Sequence, residues 1–363
     1  MFILVLYLSG IIPCFPLFLR LPLRHTFSIV FNLKERKVDF MRHFQVKWNL
    51  VWGMACAWLL LVGCTPGAKR KLTMQNQAIG LPFEVVVVQE EASWKSSLGD
   101  ALLAELESPY PALPQPEAFA KVSHCTPDEF TDFMRSIRNV VWVDVDANRY
   151  TKPTLRIEKD VWANGQQVFR LQAPSASALE QYVHEAGDTL RALLREEEQR
   201  RYATYLEQYH SSQVDRLAQE YLGLSLYVPE ELDSYTKDSA FVWASNDAAS
   251  GRMDIVLYAF PASGEEELNA ARLVAMRDSI LGQHIAGSFE GSYMSTEKRF
   301  PVVCENASES GAPSVYFRGL WRMEHDMMGG PFVARAFFDE KNRQIIVAEG
   351  FVYAPETTKK MYV

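Results

Sequence analysis

Short β-type segments lie on both sides of one long helical stretch, and this arrangement constrains the fold more than any other feature of the sequence. The helical pattern runs with interruptions from 178 to 221, and Ser177 with Glu180 forms a capping pair at its start. Upstream, Asn164-Gly165 separates two β segments, and this dipeptide is a strong hairpin signal. We therefore predict an α+β fold with two sheet-plus-helix units joined by a long interrupted helix.

Capping and charged residues give two local predictions. Thr126-Pro127-Asp128-Glu129 is a capping box, which predicts a helix that ends near Arg138 with Phe130, Phe133 and Met134 facing inward. Inside the long helix, the charged residues of 196–201 are expected to face solvent. The tyrosines at positions 202, 205 and 209 are expected to pack against the two units rather than to form a cofactor site.

The second half of the chain repeats the order of several short motifs from the first half. Val141-Trp142 is followed by a similar Val242-Trp243, and Ile79-Gly80-Leu81 by Leu222-Gly223-Leu224. Two explanations remain open. Either one α+β unit, with an antiparallel sheet and helices on one face, is duplicated, or common strand-to-helix turn chemistry produces the likeness.

Residues 1–63 differ physically from the rest of the chain. They carry seven basic and two acidic residues, a net charge of +5, whereas the remaining 300 residues carry −13. Arg42 and Lys47 precede an uncharged stretch, 50–63, that is shorter than the ~20 apolar residues needed to span a bilayer. We interpret 41–63 as a signal peptide. The acidic remainder argues against a nucleic-acid partner, which would require clustered basic residues.

Leu61-Val62-Gly63-Cys64 resembles the bacterial lipobox, in which the cysteine receives diacylglycerol before cleavage in front of it. We expect lipidation at Cys64, and the membrane is then a partner through that lipid, because two or three acyl chains give a stable anchor. The alternative is a single transmembrane anchor with an incidental cysteine. Thr65, followed by Lys69-Arg70-Lys71, favours by analogy the outer membrane, facing the periplasm.

The expected leader divides the chain into six parts. Because 1–19 is another apolar run, broken by Pro13 and Pro16, we expect translation to start at Met41, with 1–40 as a gene-start extension. The alternative is a genuine extra membrane segment. After the leader 41–63, the expected parts are a tether, 64–78, a first unit, 79–176, a connecting helix, 177–222, and a second unit, 223–363. Cys125 and Cys304 are left either to form a disulfide or to remain free thiols.

Five short motifs follow one another in the second half. They are Phe241-Val242-Trp243, Tyr258-Ala259-Phe260-Pro261, Ser292-Tyr293-Met294-Ser295-Thr296-Glu297, Arg318-Gly319-Leu320-Trp321 and Met328-Gly329-Gly330-Pro331-Phe332. In these motifs the chain resembles an uncharacterised family of bacterial envelope lipoproteins. That family has no assigned activity, so the resemblance implies an envelope lipoprotein and no catalytic residues.

The segment 324–331 joins two predicted strands and is the loop in which we expect function. Gly329 can adopt a positive φ and Gly330 precedes a proline, so the pair predicts a sharp corner. Glu324, His325 and Asp326 carry acid, base or metal-ligand groups, with Arg318 or Arg322 as an anion partner. The candidate binding residues are Arg318, Trp321, Glu324, His325, Met328, Gly329, Gly330, Tyr293 and Glu297.

These observations favour a non-enzymatic, lipid-anchored envelope protein that binds an envelope protein or an extracytoplasmic ligand. The alternative is an envelope hydrolase that uses 318–331 with Tyr293 and Glu297. Convergence of Glu324 or Glu297 with His325 and an arginine would favour the hydrolase. An exposed patch of Trp321, Met327 and Met328 would favour partner docking. No phosphate-binding loop, dinucleotide fingerprint or metalloprotease motif is present in the sequence, so we expect no cofactor and no metal.

Overall fold

The computed structural model describes residues 5–8, 76–238, 241–249, 251–307 and 313–362. Val5–Leu8 forms strand β1, which pairs antiparallel with a later strand, Leu224–Tyr227. Apart from Val5–Leu8, the expected extension and signal peptide lie outside the described residues. The expected lipidation site, Cys64, and nearly all of the tether also lie outside them.

The first sheet has five strands in the order β3-β2-β4-β6-β5. They are Glu84–Val88 (β2), Lys121–Cys125 (β3), Asn139–Val145 (β4), Thr154–Lys159 (β5) and Gln167–Ala173 (β6). The pairs β2/β3, β2/β4 and β4/β6 are parallel, and only the β5/β6 hairpin is antiparallel. The expectation of an antiparallel sheet is therefore wrong for this unit. The hairpin at Asn164-Gly165 is confirmed, and Gly165 has a φ of 80°.

Three helices accompany this sheet: Glu91–Trp94 (α1), Ser97–Leu106 (α2) and Ala176–Gln208 (α3). Leu98, Leu102 and Leu106 of α2 are buried against the sheet. In α3, Leu179, Val183, Leu190 and Leu194 recur at helical spacing and join the same core. The helical face that α3 buries thus holds it on the first sheet.

The predicted interrupted helix is confirmed. The helix α3 starts after Ser175, whose hydroxyl accepts a hydrogen bond from the Ala178 amide, so the cap is Ser175 rather than Ser177. After a break at 209–211, Ser212–Leu222 forms α4, which ends at Gly223 with a φ of 67°. The helix expected over 126–138 is wrong. The capping box forms, but the chain continues in turns to one short 3-10 helix, Met134–Ser136.

That failed helix has a simple physical cause. A capping box satisfies the first amides, but the following residues must still propagate the helix. Thr131, Asp132 and Phe133 are all poor helix formers. Phe133, expected to face inward, is 69% exposed.

The charged cluster in α3 is largely buried rather than solvated. Glu198 is 1% exposed and accepts hydrogen bonds from Arg138 (2.9 Å), Asn139 (2.7 Å) and Arg201 (2.8 Å). Of the three glutamates at 196–198, only the first is exposed. The expectation of a solvated stretch is therefore wrong for most of the cluster. The expected packing of the tyrosines is also incomplete, because Tyr205 is 53% exposed.

The second sheet is antiparallel throughout its described pairs, and its strands follow the order β11-β13-β14-β15-β10-β9-β8, with β12 pairing along β13. After Leu224–Tyr227 (β7), its strands are Ser234–Asp238 (β8), Phe241–Ser245 (β9), Arg252–Pro261 (β10), Tyr293–Thr296 (β11), Val303–Asn306 (β12), Ser314–Glu324 (β13), Gly329–Asp339 (β14) and Gln344–Tyr353 (β15). The two sheets differ in strand number, direction and order, so they are not copies of one unit. The α+β prediction itself is confirmed.

Helices cover both faces of the second sheet. Leu257 packs in the core that contains α4, whereas its neighbour Tyr258 packs in the core beneath Ala270–His284 (α5). Successive strand residues point to opposite faces, so α4 and α5 lie on opposite sides. The expectation of helices on one face is therefore wrong here. Double coverage explains why β14 and β15 are apolar over long runs rather than alternating.

An ion pair with no exposed surface joins α5 to the sheet. The Arg277 guanidinium donates to Glu349 at 2.7–3.0 Å and to the Thr296 hydroxyl at 3.0 Å. It also lies 4.0 Å from the centroid of the Phe332 ring. Burial raises the pKa of Glu349, and the charge of Arg277 opposes that rise.

Two global features complete the fold. In the part of the chain that the structure describes, no helix is both long enough and apolar enough to cross a bilayer. Cys125 is buried and Cys304 is exposed, and both are free thiols, so the disulfide left open by the sequence does not form.

Candidate functional site

Two glycines and two aromatic residues face one another across β13 and β14. The register places Gly319 opposite Phe332 and Trp321 opposite Gly330. A Cβ atom on Gly330 would lie 2.1 Å from the Val352 carbonyl oxygen and 3.1 Å from the Trp321 indole nitrogen. A Cβ atom on Gly319 would lie 3.1 Å from the Phe332 ring. The Arg-Gly-Leu-Trp and Met-Gly-Gly-Pro-Phe motifs are therefore complementary, because each glycine makes room for the aromatic ring of the other motif.

The turn between β13 and β14 consists of residues 325–328. The positive φ expected at Gly329 occurs instead at His325, whose φ is 63°. Gly329 and Gly330 instead lie within β14. The corner expected at the two glycines therefore lies earlier in the chain, and the glycines serve close packing rather than the turn.

A hydrogen bond ties this turn to the loop that precedes β11. The Asp326 carboxylate accepts from the Ser288 amide at 2.7 Å and from the Met327 amide at 2.6 Å. The bond from Ser288 is the main reason why the pKa of Asp326 is lowered. The Ser288 hydroxyl also lies 3.8 Å from the Met328 sulfur. We call residues 285–292 and 325–328 the rim loops.

A cavity of about 210 Å³ lies beside the rim loops, on the α5 side of the second sheet. Its apolar lining comes from aromatic and thioether side chains, which are Trp243, Trp321, Phe351, Tyr353, Met294, Met323 and Met328. Residues 285–288 of the rim loops also line it, and Arg252 and Asp254 supply the charged groups. A cavity that combines apolar walls with a few fixed polar groups has the usual form of a small-ligand site.

The charged end of the cavity is built from three neighbouring side chains. The Arg252 Nε atom lies 3.1 Å from each Asp254 carboxylate oxygen, and its Nη2 atom lies 3.0 Å from Oδ1. The Trp243 indole donates to the same Oδ1 at 2.9 Å. Asp254 is 1% exposed, and burial raises its pKa against the opposing charge of Arg252. The arginine is thus held in a fixed plane by a buried carboxylate.

Two of the candidate residues from the sequence, Trp321 and Met328, line the cavity. Trp321 is 2% exposed, and its indole donates to the Val352 carbonyl at 3.2 Å. Met327 is 97% exposed. Trp321, Met327 and Met328 therefore do not form the single exposed patch considered in the sequence analysis.

Two of the acidic candidates share an arginine, because Arg322 lies 3.5 Å from Glu324 and 3.8 Å from Glu297. Arg318 and His325 have other partners. Arg318 is buried on β13, 3.4 Å from Glu305. Glu324 accepts a hydrogen bond from Ser295 at 2.7 Å. The His325 ring packs edge-on against Tyr293, with the centroids 6.3 Å apart.

Glu297 is held mainly by Arg299. Its carboxylate accepts from the Arg299 guanidinium at 2.7 Å and from the Arg299 amide at 3.0 Å, and Arg322 lies 3.8 Å away. The hydrogen bonds from Arg299 lower the pKa of Glu297 to about 2. Glu297 is therefore ionised at neutral pH and is poorly suited to act as a general acid.

The convergence that would favour a hydrolase is not seen among these residues. Arg322 lies between Glu324 and Glu297, but in the described part of the chain His325 packs against Tyr293 and bonds to neither carboxylate. The cavity lining contains none of these residues. Over the described ranges, no group of three His, Cys, Asp or Glu side chains is arranged to hold a metal ion.

Arg252 and Asp254 were not identified from the sequence. Residues two apart on a strand share a face, so Arg-x-Asp at the start of β10, beside the Phe-x-Trp motif of β9, was the available signal.

Two family models match the chain. Residues 78–207 match a model described as a domain of unknown function (DUF8532). Residues 211–363 match a second model, also described as a domain of unknown function (DUF4837). A comparison with curated proteins gives no match. Both parts are thus similar to uncharacterised domains, and neither description assigns an activity.

Proposed function

We propose that the chain is a lipid-anchored cell-envelope protein that binds an extracytoplasmic ligand in the cavity beside the rim loops. The cavity is the observation that carries the binding proposal. The sequence of the leader carries the anchoring proposal: 41–63 as signal peptide, lipid on Cys64, and 64–78 as tether at the periplasmic side of the outer membrane.

The size and lining of the cavity limit what it can bind. Pockets for drug-sized ligands usually measure ~300–1,000 Å³. At about 210 Å³, this cavity suits a smaller molecule or a single side chain of a partner. Aromatic and thioether walls favour an apolar group, and Arg252 with Asp254 supplies one polar end that can orient it.

Binding is favoured over hydrolysis by the state of the charged groups. Asp254 is the acidic side chain in the cavity lining, and Arg252 and Trp243 already donate to its carboxylate. A general base needs an oxygen or nitrogen that can reach the substrate proton. The geometry of Asp254 suits a positioning group instead.

Fatty-acid incorporation tests the anchor. Cells that express the full chain are fed a clickable palmitate analogue, and the purified protein is examined for label and for its N-terminal residue. We expect label on the wild-type chain and on Cys56→Ala, a matched change inside the leader, but not on Cys64→Ala. Label on Cys64→Ala, or an unlabelled wild-type chain, would contradict the anchor.

Methionine methyl signals test the cavity. The full chain, in lipid nanodiscs with ¹³C-methyl methionine, is screened by NMR against small apolar fragments. We expect binding fragments to shift the Met294, Met323 and Met328 signals. Met328→Trp should fill the cavity and abolish these shifts, whereas Met327→Trp, at an exposed neighbour, should retain them. Failure of every fragment to shift these signals would refute the binding site.

A further inference from the structure

The Arg252 guanidinium has an edge that the protein does not use. Guanidinium carries five N–H donors in a rigid fork. Nε and one Nη2 position face Asp254, and Asp247 lies 3.9 Å from Nη2. Within the described ranges, Nη1 makes neither a hydrogen bond nor an ion pair. One end of the fork is thus available at the cavity, which Arg252 lines.

The geometry of the free guanidinium edge suits a carboxylate partner. Asp254 and Trp243 fix the guanidinium from one side, with the arginine 5.5 Å from the Trp243 ring centroid. Arg252 is the basic residue of the cavity lining, and the acidic residue there is already paired with it. A carboxylate matches the two parallel N–H groups of a guanidinium edge, and this charge-assisted geometry is stronger than a neutral hydrogen bond.

The remaining walls define the other half of the ligand. Trp321, Phe351 and Tyr353 present aromatic surface, and three methionines also line the cavity. Such walls suit a flat or branched apolar group. The small volume leaves room for one such group, close to the arginine.

We infer that the cavity recognises a compact apolar group that carries a terminal carboxylate, and that the end of the Arg252 guanidinium binds the carboxylate. This inference rests on the proposed binding function and specifies its ligand class. The same chemistry occurs in a free small acid and in the C-terminal residue of a peptide. The test below separates these two sources.

The test compares acids with their amides on the full chain in nanodiscs, read from the same methionine methyl signals. The probes are 3-phenylpropionate, 3-phenylpropionamide, and the peptide Ala-Ala-Phe with a free or an amidated C-terminus. A hydrogen bond to a charged group contributes roughly 10- to 100-fold in affinity. We expect each acid that enters the cavity to bind at least about 10-fold more tightly than its amide.

Substitution of Arg252 tests whether this residue causes the preference for the acid over the amide. Arg252→Met should remove the advantage of the acid over the amide while weak binding of the amide persists, which also shows that the variant is folded. Arg299→Met, a matched change at an exposed arginine outside the cavity lining, should retain the preference. If the peptide with a free C-terminus binds, the C-terminus of a chain is the source of the carboxylate. If 3-phenylpropionate binds and this peptide does not, the source is a free small acid.

Three results would overturn the inference. They are equal affinities for acid and amide in the wild-type chain, an acid preference that survives Arg252→Met, and failure of all four probes to shift the methyl signals. None of these results refutes the proposed binding function, because neutral fragments in the separate screen test that function. Failure of that screen, in contrast, would refute both the proposed binding function and the inference about the carboxylate.

Discussion

Trp321 lies opposite Gly330 in the antiparallel pair β13/β14, and its indole nitrogen reaches past that glycine to the Val352 carbonyl oxygen, 3.2 Å away on β15. This crossing places the indole edge-on against Phe351, with the ring centroids 5.5 Å apart. Trp321 and Phe351 both line the cavity. The absence of a side chain at Gly330 therefore determines the shape of one cavity wall.

Gly330→Ala should destabilise the second sheet. The added methyl would lie 2.1 Å from the Val352 carbonyl oxygen, which is backbone and cannot swing away. Overpacking of this kind costs about 1–3 kcal/mol, and contact with backbone places the expected effect near 3 kcal/mol. Hydrogen exchange of the β13 and β14 amides, measured by mass spectrometry, should accelerate.

A surface glycine provides the control for that change. In Gly264→Ala the new methyl would meet the carboxylate of Glu266, the end of a flexible side chain that can move. We expect little change in exchange for this variant. Unchanged exchange in Gly330→Ala would contradict the role assigned to that glycine.

Removing one partner of the buried pair Arg277–Glu349 should be strongly destabilising. Glu349→Met would remove the closest counterion of the fully buried Arg277 guanidinium and leave it the more distant, partly exposed Asp278 carboxylate, 3.8 Å away. Such a loss costs about 3–5 kcal/mol. The double variant Arg277→Met/Glu349→Met removes both charges and should be more stable than Glu349→Met alone. Thermal unfolding of the wild-type chain, the two single variants and the double variant measures these stabilities. If the losses in the two single variants simply add up to the loss in the double variant, the two side chains are not directly coupled.

The three consecutive glutamates of α3 offer a matched pair of substitutions in the first unit. Glu198→Gln replaces with a neutral amide the carboxylate that Arg138, Asn139 and Arg201 all contact. We therefore expect the free energy of unfolding to fall by about 3 kcal/mol. Glu196→Gln changes an exposed side chain and should alter stability by less than about 0.5 kcal/mol. Hydrogen exchange of β4 and α3 distinguishes them. Equal effects would show that the buried network is not stabilising.

Local sequence patterns predicted the parts of this fold that depend on neighbouring residues. The interrupted helix α3–α4 was predictable because its apolar residues recur at helical spacing and serines cap both segments. The β5/β6 hairpin was predictable from Asn164-Gly165. Parallel pairing of β2 with β3 and β4 was not predictable in the same way, because it is decided by contacts between segments far apart in sequence.

The candidate site shows the same division. Trp321 and Met328 belong to recognisable motifs, and both line the cavity. Arg252 and Asp254 reach it through the register of β10 with β15 and of β15 with β14, which no local pattern encodes. Hydrolytic roles were considered for Glu297 and His325 because of their residue types, but the fold gives each a separate partner.

Glu297 should make the protein sensitive to acid. Its folded-state pKa, about 2, lies well below the ordinary glutamate value of about 4.5 because Arg299 donates to the carboxylate. A depressed carboxyl pKa stabilises the fold above the unfolded-state value, and this contribution is lost as pH falls from about 4.5 towards 2. Glu297→Gln should therefore be less stable than wild type at pH 6, and the difference should shrink by pH 3, as measured by urea unfolding. The control is Glu290→Gln, at an exposed residue with no ion pair among the described residues, which should follow wild type at both pH values. A gap between wild type and Glu297→Gln that persists undiminished at pH 3 would show that the Arg299 pair is not its source.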